Sequence, residues 1–385
     1  MNNFTYSYPV KVYFGEGVAK NSLVAELSKY GENVLFAYGG GSIKQHGIYD
    51  EITTILKETG KKIIEFSGIM SNPTYAKVQE GARLAKENDV DFILAVGGGS
   101  VIDCCKIVSA QANCDTDIWE LEYTEHKQPN KFIPMGAVVT AFGTGAEMNS
   151  GAVITNEDKM LKSALWGASY HFAVLDVNYT MTMPVRQVIS GSFDTLSHCM
   201  ETYFGTPREN NLSDEINEAV MRNVIRNMRA TLKNPKDKFV RSELIWASAM
   251  GENGILKLGK VTDFQAHMIE HQLGAYTNCN HGFGLAVIHP VLYKHIYKNA
   301  TERFAHFATT VLGIERNEKT DDELALAGIE ALASFIKEVG LPTKFSEMGI
   351  TDVDYKAIAN STVTTAGCCK KLTADEILEI LEECR

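Results

Sequence analysis

Acidic and histidine side chains recur at helical spacing in two distant segments of the chain. Asp194 and His198 lie four residues apart in VISGSFDTLSHCME, and His267 and His271 lie four residues apart in DFQAHMIEH. Residues i and i+4 share one helix face, so each pair can direct its polar atoms at one point. His281 follows in a polar stretch just before another predicted helix. One carboxylate with three or four imidazoles predicts a divalent-metal site.

Three glycine-rich loops form a second set of residues suited to chemistry. GGGS at 39–42 and GGGS at 97–100 each follow a predicted strand and open a predicted helix, where backbone N–H groups can bind phosphate oxygens. A third loop, TAFGTGAE at 140–147, follows another predicted strand and adds hydroxyl groups. Neither GGGS loop reads GxGxxG. Because such loops meet at the carboxyl edge of a parallel sheet, together they favour a phosphate-bearing ligand over simple turns.

The elements that must position these residues differ between the two parts of the chain. Up to about residue 184, strands predicted at 33–38, 62–66, 91–96, 132–139 and 172–176 alternate with predicted helices, which is typical of a parallel sheet. Alternation from Tyr6 to Phe14 predicts a further strand with its large side chains on one face. After Pro184 helical periodicity is nearly continuous. We therefore predict an α/β domain at 1–184 and an all-helical domain at 185–385.

Composition limits the classes of partner. The formal net charge of -11 over 385 residues argues against nucleic acid and anionic membranes as partners. The eight cysteines show no framework spacing in a chain of this length, so we expect reduced thiols. No secretory pattern opens the sequence and no apolar run approaches a membrane-spanning length, which predicts a cytoplasmic protein.

Several motifs in order resemble one enzyme family, the iron-containing or group III alcohol dehydrogenases. They are FGEG, GGGSIKxxG, SNP at 71–73, GGGSVIDCCK, TxFGTGAEMNSG, DTLSH, HMIEHQLGA and NHG, and they extend over nearly the whole chain. Within the family, the branch of butanol dehydrogenases and NADPH-dependent aldehyde reductases is the most similar. The resemblance implies a dehydroquinate synthase-like architecture, in which an α/β dinucleotide-binding domain precedes an all-helical metal-binding domain, with metal and nicotinamide in the cleft between them.

The resemblance also implies roles for individual residues. The metal ligands would be Asp194, His198, His267 and His281, and His271 would be a nearby active-site histidine that passes a proton or only donates a hydrogen bond. The nucleotide-binding positions would be Gly39, Gly40, Ser42, Asn72, Gly97, Gly98, Gly99, Ser100, Asp103, Thr140, Thr144, Asn149 and Tyr179, with Lys162 as a looser match.

Position 39 bears on the choice of cofactor. Relatives that prefer NAD typically carry an acidic residue after the second strand, which holds the ribose 2′-hydroxyl and repels a 2′-phosphate. Gly39 stands here, with Ser42 and Lys44 close by, which favours NADP(H) without excluding NAD(H). Three histidines and a carboxylate suit several divalent ions. The family name puts Fe(II) first, and Zn(II) is second.

The predicted reaction is metal-dependent, reversible hydride transfer between NAD(P)H and aldehydes of the butanal type. A glycerol dehydrogenase-like polyol oxidoreductase is the nearest alternative. A metallohydrolase and a non-catalytic nucleotide sensor are more distant ones, and HxxxH lacks the glutamate of the HExxH metalloprotease motif because Met268 occupies its place. The alternating N-terminal segment suggests pairing with its copy, so we expect a homodimer.

Overall fold

The computed structural model describes residues 2–385, which divide into one unit at 7–184 and another made of 2–6 and 185–385. Six strands of the first unit form one sheet in the order β1-β8-β5-β4-β2-β3, and every neighbouring pair is parallel. These strands are β1 (Lys11–Gly15), β2 (Asn33–Tyr38), β3 (Lys62–Phe66), β4 (Phe92–Gly97), β5 (Met135–Val139) and β8 (Phe172–Asp176). Strands β2, β3 and β8 have the predicted bounds. Strand β4 is shifted by one residue, and β5 begins three residues later than predicted.

Helices connect these strands. They are α1 (Ala19–Leu27), α2 (Ser42–Gln45), α3 (Ile48–Glu58), α4 (Tyr75–Glu87), α5 (Gly99–Gln111), α6 (Ile118–Tyr123) and α7 (Val177–Thr180). The central strands are buried along nearly their whole length, as expected for a parallel sheet that is covered on both faces. Their carboxyl ends deliver the glycine-rich loops after β2 and β4 and the threonine-rich loop after β5.

The sequence did not reveal an antiparallel hairpin, which β6 (Gly151–Asn156) and β7 (Leu161–Trp166) form beside the main sheet. The prediction of one strand from Tyr6 to Phe14, with its large side chains on a single face, is also wrong. The first strand begins only at Lys11, and Tyr6, Tyr8 and Phe14 are 43%, 36% and 40% exposed, whereas Val10 is buried. Because β1 is an edge strand paired only with β8, it has less of the unit to pack against.

A carboxylate joins the first strand to the first helix. The Glu26 side chain on α1 accepts hydrogen bonds from Lys11 Nζ at 2.9 Å, Lys29 Nζ at 2.8 Å and Tyr13 Oη at 2.5 Å. Burial opposes ionisation of Glu26, but these three donors outweigh it and lower its pKa to about 2.

Helices make up the second unit. They are α8 (Val185–Tyr203), α9 (Leu212–Lys233), α10 (Lys238–Glu252), α11 (Gln265–Thr277), α12 (His281–Ile296), α13 (Thr301–Thr310), α14 (Asp321–Glu338), α15 (Tyr355–Ser361) and α16 (Ala374–Glu383). The expected fold class, an α/β region with a parallel sheet followed by a helical region, is confirmed. Among the helices of residues 2–385, none combines the length and the hydropathy needed to cross a membrane.

A buried ionic network fixes the end of α8 against its neighbours. Asp214 Oδ1 on α9 lies 2.6 Å from Lys260 Nζ and 2.7 Å from Arg303 Nη2 on α13, and all three side chains are at most 3% exposed. Both cations also donate to the carbonyl of Tyr203, the last residue of α8. The network therefore anchors the helix that carries Asp194 and His198.

Candidate active site

Three helices of the second unit bring candidate metal ligands together. Asp194 lies on α8, His267 on α11, and His281 is the first residue of α12 rather than part of the loop expected before it. Asp194 Oδ1 lies 3.5 Å from His267 Nε2 and 3.4 Å from His281 Nε2. One donor atom from each of the three residues lies within 4.8 Å of the other two. The side chains thus converge although the first and the last are 87 positions apart in the sequence.

His198 lies beside this group without completing it. Its Nδ1 is 2.9 Å from the Asp194 carbonyl oxygen and 3.3 Å from Asp194 Oδ1, the contact expected one helical turn along α8. Its Nε2 lies 4.0 Å from Glu252 Oε1. The structure therefore places His198 against Asp194, and its role as a fourth ligand is still a prediction.

The chemistry of the group fits a divalent cation. Asp194 Oδ1 and His267 Nε2 are buried, and neither has a hydrogen-bond partner among the described residues. Buried polar atoms are nearly always paired, since leaving one unpaired is costly. A carboxylate oxygen and two imidazole nitrogens that face one another would be satisfied together by a metal such as Fe(II) or Zn(II).

Electrostatics hold the carboxylate ionised. Burial disfavours the charge on Asp194, but the neighbouring imidazoles of His198, His281 and His267 hold its pKa well below the ordinary value. Burial likewise lowers the pKa of His267, yet Glu201 and Asp194 prevail and raise it to about 10. The carboxylates around the cluster thus favour a positive charge at its centre, either a proton on His267 or a metal ion in its place.

Two buried glutamates, to which the sequence pattern assigned no role, contact the histidines on the side away from Asp194. Glu201 on α8 contacts Nδ1 of His267, and Glu270 on α11 contacts Nδ1 of His281; both glutamate side chains are 0% exposed. The only sequence signal was spacing, because Glu201 follows Asp194 by seven residues and Glu270 follows His267 by three. Both intervals keep a side chain near the same helix face.

His271 lies one turn beyond His267 on α11 and is 5% exposed. Its donor atom lies within 4.8 Å of one on Glu270 and one on His281, and its ring stacks on His281 with centroids 5.6 Å apart. The predicted active-site histidine thus lies next to the candidate metal ligands.

The first glycine loop, in the α/β unit, is open on one side. A Cβ added at Gly39 would lie 3.1 Å from the carbonyl oxygen of Ile69, whereas one added at Gly40 would meet nothing within 4 Å. Ser42 is the first residue of α2, and Lys44 Nζ lies 4.5 Å from the centroid of the Tyr49 ring. Gly40 therefore leaves room for a ligand, and Lys44 supplies a nearby positive charge.

The second glycine loop is closely packed. A Cβ at Gly97 would lie 2.5 Å from Val101 Cγ2, one at Gly98 would lie 3.0 Å from the Ala141 Cβ, and one at Gly99 would lie 2.4 Å from Thr144 Oγ1. The glycines thus let the loop after β4 approach the loop after β5. Ser100 lies in the first turn of α5, which starts at Gly99 and offers backbone N–H groups to an anion.

Several other predicted nucleotide residues are engaged within the α/β unit. The fully buried Lys106 lies 3.3 Å from Asp103 Oδ1 and donates to Asn149 Oδ1 at 3.0 Å, while Asp103 Oδ2 accepts the Val153 N–H at 3.0 Å. Asp103 and Asn149 therefore shape the loops from within. If these two residues take part in nucleotide binding, they would do so by positioning the loops as well as by touching the nucleotide.

The remaining positions fall into two groups. Thr140 donates its N–H to the Gly97 carbonyl, and Asn72 adopts a left-handed φ of 52° in the SNP turn, so both lie in loops at strand ends. Lys162 on β7 and Tyr179 on α7 are only 4% and 6% exposed. Both side chains are therefore buried, and their contacts with a nucleotide stay a prediction.

Fold and site together define a protein with a parallel α/β unit that carries glycine-rich loops and a helical unit that carries a carboxylate and histidine cluster. Residues 9–176 match the model of the family "Iron-containing alcohol dehydrogenase", and residues 188–384 match "Fe-containing alcohol dehydrogenase family, C-terminal". The chain therefore belongs to the iron-containing alcohol dehydrogenase family, as the resemblance implied.

Relatives of similar length support this assignment. NADH-dependent butanol dehydrogenase A of Clostridium acetobutylicum is 36% identical over 390 residues, with 100% of both chains covered. NADPH-dependent aldehyde reductase YqhD of Escherichia coli is 35% identical, covering 93% of this chain and 92% of the relative. The crystal structure of NADH-dependent butanol dehydrogenase A from Thermotoga maritima matches with a TM-score of 0.94 and 32% identity, covering 100% of this chain and 99% of that one.

Proposed function

We propose that the chain is a metal-dependent, NAD(P)H-linked oxidoreductase that interconverts primary alcohols and aldehydes of the butanol and butanal type. The observation that carries the proposal is the convergence of Asp194, His267 and His281, in a chain whose relatives are named as butanol dehydrogenases and an aldehyde reductase. The predicted α/β domain, residues 1–184, would bind the dinucleotide, and the predicted helical domain, residues 185–385, would bind the metal.

The chain's own residues have distinct parts in this reaction. When bound, a divalent ion would polarise a carbonyl oxygen, and the reduced nicotinamide would supply the hydride. Asp194 offsets part of the ion's charge, while the imidazoles of His198, His267 and His281 add none, so a strong electrophile is retained. Burial of Asp194 and His267 excludes water and strengthens these interactions. His271 would hold or deliver the proton that the product oxygen takes up.

For the cofactor we propose NADP(H) ahead of NAD(H). The named relatives include both NADH- and NADPH-dependent enzymes, so family membership does not decide the preference. Gly39 brings no carboxylate that would repel a 2′-phosphate, Gly40 leaves open space, and Lys44 adds positive charge. These three features support binding of the phosphorylated cofactor.

For the metal we propose Fe(II) first and Zn(II) second. A set of one carboxylate and three imidazoles suits both ions, and the family's name supports iron. No disulfide joins any of the eight cysteines within residues 2–385, which suits the reducing cytoplasm. We also propose a homodimer formed through the N-terminal segment, supported by β1 at the sheet edge and by exposed Tyr6 and Tyr8. Deleting residues 2–8 should then shift the mass measured by light scattering from dimer to monomer.

The proposal is tested by incubating iron-loaded protein with NADPH and butanal and following the loss of NADPH absorbance. We expect turnover of butanal, and we expect the protein to oxidise butanol when NADP is supplied in place of NADPH. A hydrolase would leave NADPH unchanged, and a nucleotide sensor would bind NADPH without turnover. Glycerol tested in the same assay separates the polyol alternative, because a glycerol dehydrogenase-like enzyme would oxidise glycerol faster than butanol.

A further inference from the structure

A buried carboxylate stands behind each of two candidate metal ligands, on the side of the ring that faces away from Asp194. We propose that Glu201 and Glu270 are positioning residues for the metal, which hold His267 and His281 with Nε2 directed at Asp194 and make both rings stronger ligands. The inference rests on the proposed metal-dependent function and adds to it the groups that prepare the site. Neither glutamate would touch the ion.

Glu201 organises the start of α11 as well as one ring. Its carboxylate accepts the backbone N–H of Ala266 at 2.6 Å and that of His267 at 3.3 Å, and it contacts Nδ1 of the His267 ring. The first N–H groups of a helix have no partner within the helix, so a carboxylate there satisfies them and complements the helix dipole. One side chain on α8 thus fixes both the backbone and the ring of a ligand on α11.

Glu270 links α11 to α12. It lies on α11, contacts Nδ1 of His281 at the start of α12, and accepts a weak hydrogen bond from Cys279 Sγ at 3.7 Å. The helices approach closely here, since a Cβ added at Gly284 would lie 2.8 Å from Glu270 Cγ. The carboxylate therefore has little freedom to leave the His281 ring.

These contacts determine which nitrogen of each ligand ring carries the proton. An ionised carboxylate only accepts hydrogen bonds, so Nδ1 must carry the proton and Nε2 keeps the lone pair that a metal needs. The two Nε2 atoms are the ones that face Asp194 Oδ1, at 3.5 Å and 3.4 Å. A carboxylate at the far nitrogen also raises the basicity of the ligand ring. His198 differs, because its Nδ1 lies 2.9 Å from the Asp194 carbonyl oxygen and 3.3 Å from Asp194 Oδ1, and among residues 2–385 no glutamate contacts this nitrogen in the way that Glu201 and Glu270 contact the other two rings.

The test measures metal binding directly. Apoprotein of the wild type and of the variants Glu201→Gln and Glu270→Gln is titrated with Co(II) against a competing chelator. We expect each variant to bind Co(II) about 10- to 100-fold more weakly, with an altered cobalt absorption spectrum, because the ring loses its charged partner. Glu218→Gln is the matched control. Glu218 is a buried carboxylate on α9 that accepts from Tyr203 at 2.8 Å and contacts His306 at 3.1 Å, away from the cluster. Its substitution should leave Co(II) affinity unchanged.

The outcomes separate this inference from the proposed function. If the wild type takes up no divalent ion, the metal proposal fails and this inference fails with it. If the wild type binds Co(II) and both glutamine variants match it within twofold, the glutamates are merely structural and only this inference is overturned. Should Glu201→Gln fail to fold because it also holds the start of α11, the Glu270→Gln affinity decides alone.

Discussion

Replacing Gly39 with aspartate tests whether the loop after β2 decides between the two nicotinamide cofactors. A carboxylate about 6 Å from a 2′-phosphate of nearly two charges would repel it by roughly 1.5 kcal/mol in fully aqueous surroundings, and by more where the dielectric constant is lower. The same carboxylate could accept the ribose 2′-hydroxyl of NADH, a charged hydrogen bond worth about 1.5 kcal/mol. The sum, about 3 kcal/mol, corresponds to roughly a hundredfold change in cofactor preference.

The steric effect of the substitution must be separated from its charge. A Cβ at position 39 would lie 3.1 Å from the Ile69 carbonyl oxygen, so the loop has to give way by a few tenths of an ångström for any side chain. That cost applies equally to both cofactors and cancels in the ratio of their kcat/KM values. Gly39→Ala should therefore lower both values and leave the ratio unchanged. Gly39→Asn, which has the size of aspartate without its charge, should shift the ratio by about tenfold at most.

The assay is steady-state butanal reduction with NADPH and with NADH for the wild type and the three variants. We expect the NADPH:NADH ratio of kcat/KM to decrease in the order alanine, asparagine, aspartate, with the largest step at aspartate. Raising the ionic strength should narrow that last step, because salt screens exposed charges. An aspartate variant with the wild-type ratio, or with no more effect than asparagine, would refute the reasoning and place the 2′-phosphate elsewhere.

Three further predictions concern the metal and the stability of each unit. Asp194→Asn should abolish metal retention and aldehyde reduction together, as measured by elemental analysis and assay, while the NADPH dissociation constant stays within about threefold; an active, metal-free variant would contradict the mechanism. Glu26 has a depressed pKa in the folded chain, about 2 against an ordinary 4.5, so its contribution to stability is present above pH 4.5 and lost as the pH falls toward 2. The difference in melting temperature between wild type and Glu26→Gln should accordingly shrink between pH 5 and about pH 3, and a constant difference would show that the ion pairs do not matter. Asp214→Asn leaves Lys260 and Arg303 buried beside a neutral side chain, which should lower the free energy of unfolding in urea by about 3–5 kcal/mol; a loss below about 1 kcal/mol would mean that the cations find other partners.

The parts of the fold that local pattern controls were predictable from the sequence. Strands β2, β3 and β8 have the predicted bounds, 33–38, 62–66 and 172–176, because buried parallel strands are short apolar runs between turn residues. The hairpin of β6 and β7 was not predicted, since its strands mix polar and apolar residues and are stabilised by pairing with each other and by packing on α5. Local propensity carries little information about such pairing.

The candidate site was also only partly predictable from the sequence. Spacing within α8 and α11 indicated Asp194, His198, His267 and His271, because residues four apart share a face whatever the helix packs against. The part played by Glu201 could not be predicted, since its partner His267 lies 66 residues away and only the packing of α8 on α11 brings them into contact. Sequence spacing thus indicates which residues bear the chemistry, and packing between helices decides which residues prepare them.

Two glycines show how that packing places a ligand. The sequence predicts that His281 lies in a polar stretch before a helix, but His281 is already the first residue of α12, and Asn280 caps the helix by accepting the Phe283 N–H at 3.1 Å. A Cβ at Gly282 would lie 2.3 Å from the Ser190 carbonyl oxygen on α8, and one at Gly284 would lie 2.8 Å from Glu270 Cγ on α11. Glycine inside a helix costs about 1 kcal/mol relative to alanine, yet here it lets α12 approach both neighbours. Any larger residue would push α12 away and draw His281 from Asp194 and Glu270 at once. The geometry of the candidate metal site therefore depends on two glycines that bear no ligand atom.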